Sequence, residues 1–277
     1  MTFLEKLKQA TEQNNSLLCV GLDPQLDKLP QSVRNKDNPV LYFNRCLIDA
    51  TADLVCAYKP NFAFYGALGA CGWATLKGTL EHVPQHIPVL VDAKVGDIGS
   101  TAERYATMFF EELGADALTV TPYMGEDAVA PFLAYKEKGV FLVCLTSNPG
   151  ADDFEKGMMG DAPLYVQVVR KANQWNTAGN CGLVVGGTQQ QHIRDLRDLA
   201  PDMPFLIPGI GAQGGDLATA VGCGQDAQGR SILVSSSRGI MYAANSGDFA
   251  AAARQAAQQL RDDINTHRKT ADKNYRS

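Results

Sequence analysis

The sequence is 277 residues long, 45% hydrophobic and 20% charged, with a formal net charge of −5. That is enough chain and enough apolar content for one α/β barrel domain, and nothing in it demands a second. An acidic chain is poorly suited to neutralising many phosphates, which argues against a nucleic acid partner and requires that any bound phosphate be held locally.

Thr2 followed three residues later by Glu5 is a capping-box pattern, with Leu4, Leu7 and Lys8 at helical spacing behind it, so a short N-terminal helix opens the chain. Next comes Leu17-Leu18-Cys19-Val20-Gly21-Leu22-Asp23, a continuous apolar run that ends in a carboxylate, as a strand buried on both faces reads. The same pattern recurs at 54–61, 87–95, 115–123, 139–147, 181–187, 203–211 and 232–239. The stretches between, for example 101–112, 163–174 and 189–199, suit helices. Eight alternating strand and helix units predict a closed parallel (β/α)8 barrel, the TIM-barrel architecture, with residues 1–277 forming one domain. The glycine-containing stretch 150–162 reads as a mobile loop over one barrel end. At 247–265, Phe249, Ala253, Ala256, Ala257 and Leu260 share one side of a last helix capped near Ser246, and the polar residues 267–277 read as a frayed tail.

Seven cysteines, odd in number and without a C-x-x-C pair, lie mostly in apolar runs and read as buried thiols of a reducing cytoplasm. The N-terminus carries charges where a signal peptide needs an apolar stretch, and no run approaches the length of a membrane span. A cytoplasmic protein without membrane association is expected.

Polar and reactive residues gather where the apolar runs end: Asp23, Lys59, Asp92, Lys94, Ser147, Gln213 and Arg238. In a barrel those ends open onto one face, where active sites are built. The most informative segment is Val91-Asp92-Ala93-Lys94-Val95-Gly96-Asp97-Ile98-Gly99-Ser100-Thr101. Side chains alternate along a strand, so Asp92 and Lys94 are expected on the same side. A buried lysine between carboxylates stays protonated and can donate that proton. A structural ion pair at the barrel rim would share this spacing. The apolar Ile87-Pro88-Val89-Leu90-Val91 ahead of it argues against an exposed charged loop, and burying charge without purpose is costly.

The set Asp92, Lys94, Asp97, Ile98 and Thr101 reproduces the D-x-K-x-x-D-I-x-x-T pattern of the orotidine 5'-phosphate decarboxylases, and the chain resembles that family over nearly its whole length. Asp23-Pro24, Lys59-Pro60-Asn61, Ser147-Asn148-Pro149-Gly150, Gly209-Ile210-Gly211-Ala212-Gln213-Gly214-Gly215 and Ser237-Arg238-Gly239 look like family motifs in family order. The length and the Ser-Asn-Pro-Gly form are similar to the longer bacterial-type subfamily. One departure is Gly187, where the pattern expects alanine.

The resemblance implies decarboxylation of orotidine 5'-phosphate to UMP, with no metal and no cofactor, by an array of Lys59, Asp92, Lys94 and Asp97. Lys94 would donate the proton and Asp92 would lie against the substrate carboxylate. Asp23 and Lys59 would bind the ribose hydroxyls, Ser147 the pyrimidine, and Gln213, Arg238 and the Gly239 backbone the phosphate. Asp97 and Thr101 would reach into the active site of a neighbouring subunit, making the protein a homodimer.

The chemistry suits these residue types. Loss of carbon dioxide from orotate leaves a carbanion that no adjacent carbonyl absorbs, so a preorganised ammonium in a water-excluded site has most to contribute. A carboxylate beside the substrate carboxylate disfavours the ground state, and phosphate binding at a distance offsets that cost. One arginine, a glutamine and glycine-rich amides suffice for one phosphate monoester.

Other signals compete. Gly209-x-Gly211-x-x-Gly214 is a literal dinucleotide fingerprint and Arg238 could receive an NADP phosphate, but it follows the seventh strand, where barrels bind phosphate. His82 and His86 have the spacing of a helical metal pair, yet Pro84 lies between them. A Schiff-base role for Lys94 would want a lysine with a lowered pKa, and two aspartates push the other way. The sugar-phosphate decarboxylases and aldolases of the same barrel group share an Asp-x-Lys-x-x-Asp strand end but use magnesium; the Ser147 and Gln213 motifs suit a pyrimidine better. A non-catalytic nucleotide-binding protein would bind UMP without turnover.

Overall fold

Each of the eight apolar runs contains a parallel strand: β1 Leu18–Leu22, β2 Ala57–Pro60, β3 Leu90–Val95, β4 Ala117–Val120, β5 Gly139–Leu145, β6 Cys181–Val185, β7 Phe205–Pro208 and β8 Ile232–Ser236. The structure, a computed structural model, describes residues 1–210, 216–244 and 246–268. The sheet runs β2-β1-β8-β7-β6-β5-β4-β3, and parallel bridges from Tyr58 to Val89 and from Asn61 to Asp92 close β2 onto β3. The result is a (β/α)8 barrel with helices around it, the TIM-barrel architecture.

The barrel's interior explains the unbroken apolar runs. One cluster takes Cys19, Ala57, Leu90, Ala117, Phe141, Val184, Leu206 and Leu233, one residue from each strand, so this end of the barrel is packed solid. Phe3 and Leu7 of the N-terminal helix Phe3–Gln13 plug it from below, with the Phe3 ring edge-on to Phe141 at 5.7 Å. The capping box forms as expected: Thr2 N donates to Glu5 Oε2 at 2.8 Å and Glu5 N to Thr2 Oγ1 at 3.3 Å. The other cluster fills the layer between strands and surrounding helices.

Local differences from the sequence reading have physical causes. The helix expected at 101–112 starts at Gly99 and changes at Thr107 from α to a wider π turn, in which Leu113 N donates to Met108 O, five residues back. The stretch 150–162 is built rather than irregular. A 3-10 turn, Pro149–Asp152, leads to a short ribbon pairing Met158–Met159 with Ala162–Pro163, and Glu155 accepts from Thr146 N at 2.6 Å. The last helix, Phe249–His267, is capped by Asp248, whose carboxylate accepts from Ala251 N, two residues beyond Ser246. Of the frayed tail expected at 267–277, residues 269–277 lie outside the described residues, while His267 still belongs to the helix.

All seven cysteines are free thiols. Cys19, Cys56, Cys144 and Cys181 are buried, whereas Cys71 is exposed, and burial pushes the Cys19 and Cys181 thiols up to about 12. His82 ends the helix Gly72–His82 and pairs with Asp49 at 2.7 Å. Among the described residues no group of three or more His, Cys, Asp or Glu could hold a metal ion, and no helix is long and apolar enough to cross a membrane.

Candidate active site

The C-terminal ends of β1, β2 and β3 deliver Asp23, Lys59 and Asp92 to one point. The parallel register does this directly: Gly21 lies beside Lys59, and Asn61 is bridged to Asp92. Asp92 and Lys59 are buried despite their charges, because each answers the other, with Lys59 Nζ 3.2 Å from Asp92 Oδ2. Lys94 Nζ approaches the opposite oxygen, Asp92 Oδ1, at 2.5 Å. Thr119 Oγ1 donates to that same oxygen at 2.9 Å, and Asn61 Nδ2 lies 3.5 Å from Oδ2.

Electrostatics follow from this crowding. Burial alone would raise the pKa of Asp92, but the ammoniums of Lys59 and Lys94 and the hydrogen bonds from Lys94 and Thr119 override it and hold the carboxyl at about 2. Burial alone would lower the pKa of Lys59, and the carboxylates of Asp92 and Asp23 reverse that, holding the ammonium above the usual lysine value. Asp92 is therefore a fixed anion and Lys59 a fixed cation around neutrality.

Asp23 is fixed by two donors from different elements. Its Oδ1 accepts from Asn61 N at 3.0 Å and its Oδ2 from Ser237 Oγ at 2.6 Å. Ser237 directly precedes Arg238 and Gly239, so the end of β8 is tied to the end of β1. A cavity of about 450 Å3 opens here, lined by Asp23, Lys59 and Asp92 together with Gly209, Arg238 and Gly239. Arg238 is exposed at its rim. A larger, more apolar cavity of about 670 Å3 lies beside the ribbon, among Val143, Phe154, Met159 and Trp175.

Several sequence expectations need correcting or completing. Lys94 is exposed rather than buried, and its φ of 47° places it in the left-handed region rather than in an extended strand. It meets Asp92 through that turn and not by simple alternation. Asp97 does not join the array within one chain; its Oδ1 accepts from its own neighbour, Ile98 N, at 2.8 Å. Thr101 is exposed on the helix Gly99–Ala106. Ser147 follows β5, outside the walls of the 450 Å3 cavity, and its carbonyl accepts from Thr188 Oγ1 at 3.4 Å. Gln213, Gly211 and Gly214 lie outside the described residues, so of the glycine fingerprint only Gly209, with φ of 91°, is placed at the cavity.

Gly187, the departure from the family pattern, has a local explanation: a Cβ there would sit 2.5 Å from Ile210 Cδ1, so the isoleucine occupies the space that an alanine methyl would need. The sequence reading missed Thr119, the Asn61 amide and the Ser237 hydroxyl as supports of the carboxylates. Thr119 did carry a signal, as the one polar residue in Ala117-Leu118-Thr119-Val120.

Comparison with known proteins agrees with this geometry. A model of the orotidine 5'-phosphate decarboxylase / HUMPS family matches residues 16–256. The orotidine 5'-phosphate decarboxylase of Thermomicrobium roseum is 50% identical over 272 residues, 97% of each chain. That of Cellvibrio japonicus is 48% identical over 274 residues, 97% of this chain and all of the relative. Among solved structures, the OMP decarboxylase of Leishmania donovani superposes with a TM-score of 0.85 at 39% identity, covering 96% of this chain and 99% of that one. With that match over most of its length, and with Asp23, Lys59 and Asp92 converging at one cavity, the chain belongs to the orotidine 5'-phosphate decarboxylase / HUMPS family.

Proposed function

We propose that this chain is a cytoplasmic carboxy-lyase that converts orotidine 5'-phosphate to UMP without metal or cofactor, Lys94 protonating the carbon that loses carbon dioxide. The observation that carries this is the Lys59–Asp92–Lys94 array, a buried carboxylate gripped on both oxygens by ammoniums, with Lys59 and Asp92 lining the same cavity as Arg238 and Gly239.

The steps follow from charge. Arg238 and the Gly239 amide take the phosphate together with Gln213, while Asp23 and Lys59 take the ribose hydroxyls and Ser147 the pyrimidine. Remote binding then brings the substrate carboxylate against Asp92, whose charge the Lys59 and Lys94 ammoniums favour. Departure of carbon dioxide removes one of the two facing negative charges. The electron pair left on the ring carbon faces the Lys94 ammonium, which stabilises it and then forms the new carbon–hydrogen bond.

The array becomes complete in a homodimer, with Asp97 and Thr101 supplied by the neighbouring subunit. Ile98 is 56% exposed between those two residues, and Tyr123, at 80%, and Met124 add exposed apolar surface from the loop after β4, as an interface requires. The loop 150–162 serves as a lid, and the chain falls in the longer bacterial-type subfamily.

The test follows the orotate absorbance of orotidine 5'-phosphate mixed with pure protein in excess EDTA, beside the Lys94→Ala variant. Rapid loss with the parent and almost none with the variant is the expected result. No loss with a folded parent that still binds UMP would reassign the chain to sugar-phosphate chemistry or to nucleotide binding alone.

A further inference from the structure

We infer that Thr119, in the middle of β4, is a positioning residue that sets the geometry of Lys94 against Asp92. The inference rests on the reading of those two groups as the reacting pair.

The pairing of β3 with β4 is interrupted at the site. Leu90 pairs with Ala117 and Val91 with Leu118, but the next pair is Val95 with Val120. Asp92, Ala93 and Lys94 therefore stand opposite the single residue Thr119, and the extra residues bulge from the ladder. Amides in such a bulge lose their partners on the adjacent strand and need another acceptor.

Thr119 is fully buried, and its hydroxyl meets this demand. It accepts from Ala93 N at 3.0 Å and from Lys94 N at 2.9 Å, and it donates to Asp92 Oδ1 at 2.9 Å. A hydroxyl has one proton to give and two lone pairs, so its capacity is used in full. Two of these bonds hold the backbone in the left-handed turn at Lys94, a conformation unfavourable for a residue with a Cβ. The third points Asp92 Oδ1 at the position that Lys94 Nζ occupies 2.5 Å away. One side chain thus fixes both the backbone that launches the lysine and the carboxylate oxygen that receives it.

A valine has the same shape without the hydroxyl, so it separates packing from positioning. Misplacement of a reacting group by about an ångström costs on the order of 100-fold in rate. The Thr119→Val variant is expected to lose about that much in kcat, with KM and UMP affinity within about threefold of the parent. Thr119→Ser, which keeps the hydroxyl, is expected to restore kcat to within about fivefold of the parent. Lys94→Ala is run in the same assay.

A folded Thr119→Val enzyme with parental kcat overturns the inference. So does a serine variant as slow as the valine one, since shape and not the hydroxyl would then matter. If the valine variant does not fold, Thr119→Ala, which likewise lacks the hydroxyl, takes its place, and parental kcat there overturns the inference equally. Full activity in Lys94→Ala would instead sink the reading of the lysine, a result distinct from either.

Discussion

Asp92 and Lys94 are joined Oδ1 to Nζ at 2.5 Å, yet the carboxylate is held inside the barrel while 45% of the lysine side chain remains exposed. The two ends of one ion pair thus face different environments. Asp92 is anchored from within by Lys59 and Thr119, whereas Lys94 keeps a side open to solvent.

That asymmetry separates stability from activity. In Asp92→Asn the buried Lys59 ammonium loses its contact partner, with Asp23 the remaining opposite charge, and the fold is expected to lose roughly 3 kcal/mol. Lys94→Ala leaves the Lys59–Asp92 pair intact and is expected to cost under about 1 kcal/mol. Both should abolish decarboxylation. Urea melts beside activity assays check this; equal destabilisation by the two variants would contradict the asymmetry.

Acid sensitivity follows from the same carboxylate. The folded pKa of Asp92, about 2, lies below its unfolded value near 3.8, so the unfolded chain takes up its proton first as pH falls. The stability it contributes is present above pH ~4 and is lost as pH drops through 2, amounting to about 2 kcal/mol. The gap in thermal stability between the parent and Asp92→Asn should therefore be constant from pH 7 to about 5 and close below 4. A gap that persists at pH 2 would mean that packing, not charge, is what the substitution removes.

The same residues show what could be read from sequence. The apolar runs located all eight strands, because strands buried on both faces need no polar positions and end where polarity returns. Their limits came out longer than the ladders, as at 54–61, where the strand holds Ala57–Pro60 with a single further bridge at Asn61. Asp23, Lys59 and Asp92 were legible as strand-end charges. The left-handed turn at Lys94 was not, since lysine gives no sign of positive φ, and it follows from a bulge against Thr119 that needs both strands in view. Asp97 and Thr101 were legible only by resemblance, because their expected contacts lie beyond one chain.

Two adjacent glycines after β6 should respond differently to alanine. A Cβ at Gly186 would lie 2.7 Å from Ser147 N and 2.9 Å from Thr146 C, both backbone atoms, so it must displace the segment that carries Ser147. Gly186→Ala is expected to cost about 1–3 kcal/mol and to raise KM for orotidine 5'-phosphate. At Gly187 the nearest atom is the terminal methyl of Ile210, which can rotate away, with the Pro208 carbonyl next at 3.1 Å, so Gly187→Ala should cost less than Gly186→Ala and change KM less. Calorimetry and steady-state kinetics on both variants make the comparison; equal effects would show that the Thr146–Ser147 backbone yields as readily as a methyl group.

The proposed sharing of active sites makes a stoichiometric prediction. Lys94→Ala and Asp97→Ala should each be inactive alone. In a hybrid dimer, the subunit with native Lys94 receives native Asp97 from its partner, and the other site lacks both. Random reassociation puts half the dimers in hybrids with half their sites intact, so about a quarter of parental activity should return on mixing. Within one chain Asp97 Oδ1 accepts from Ile98 N at 2.8 Å, while Lys94 pairs with Asp92, so the fourth member of the array is proposed to come from the neighbour. Mixed samples in which hybrids are demonstrated by mass but activity stays absent would place the whole array within a single subunit.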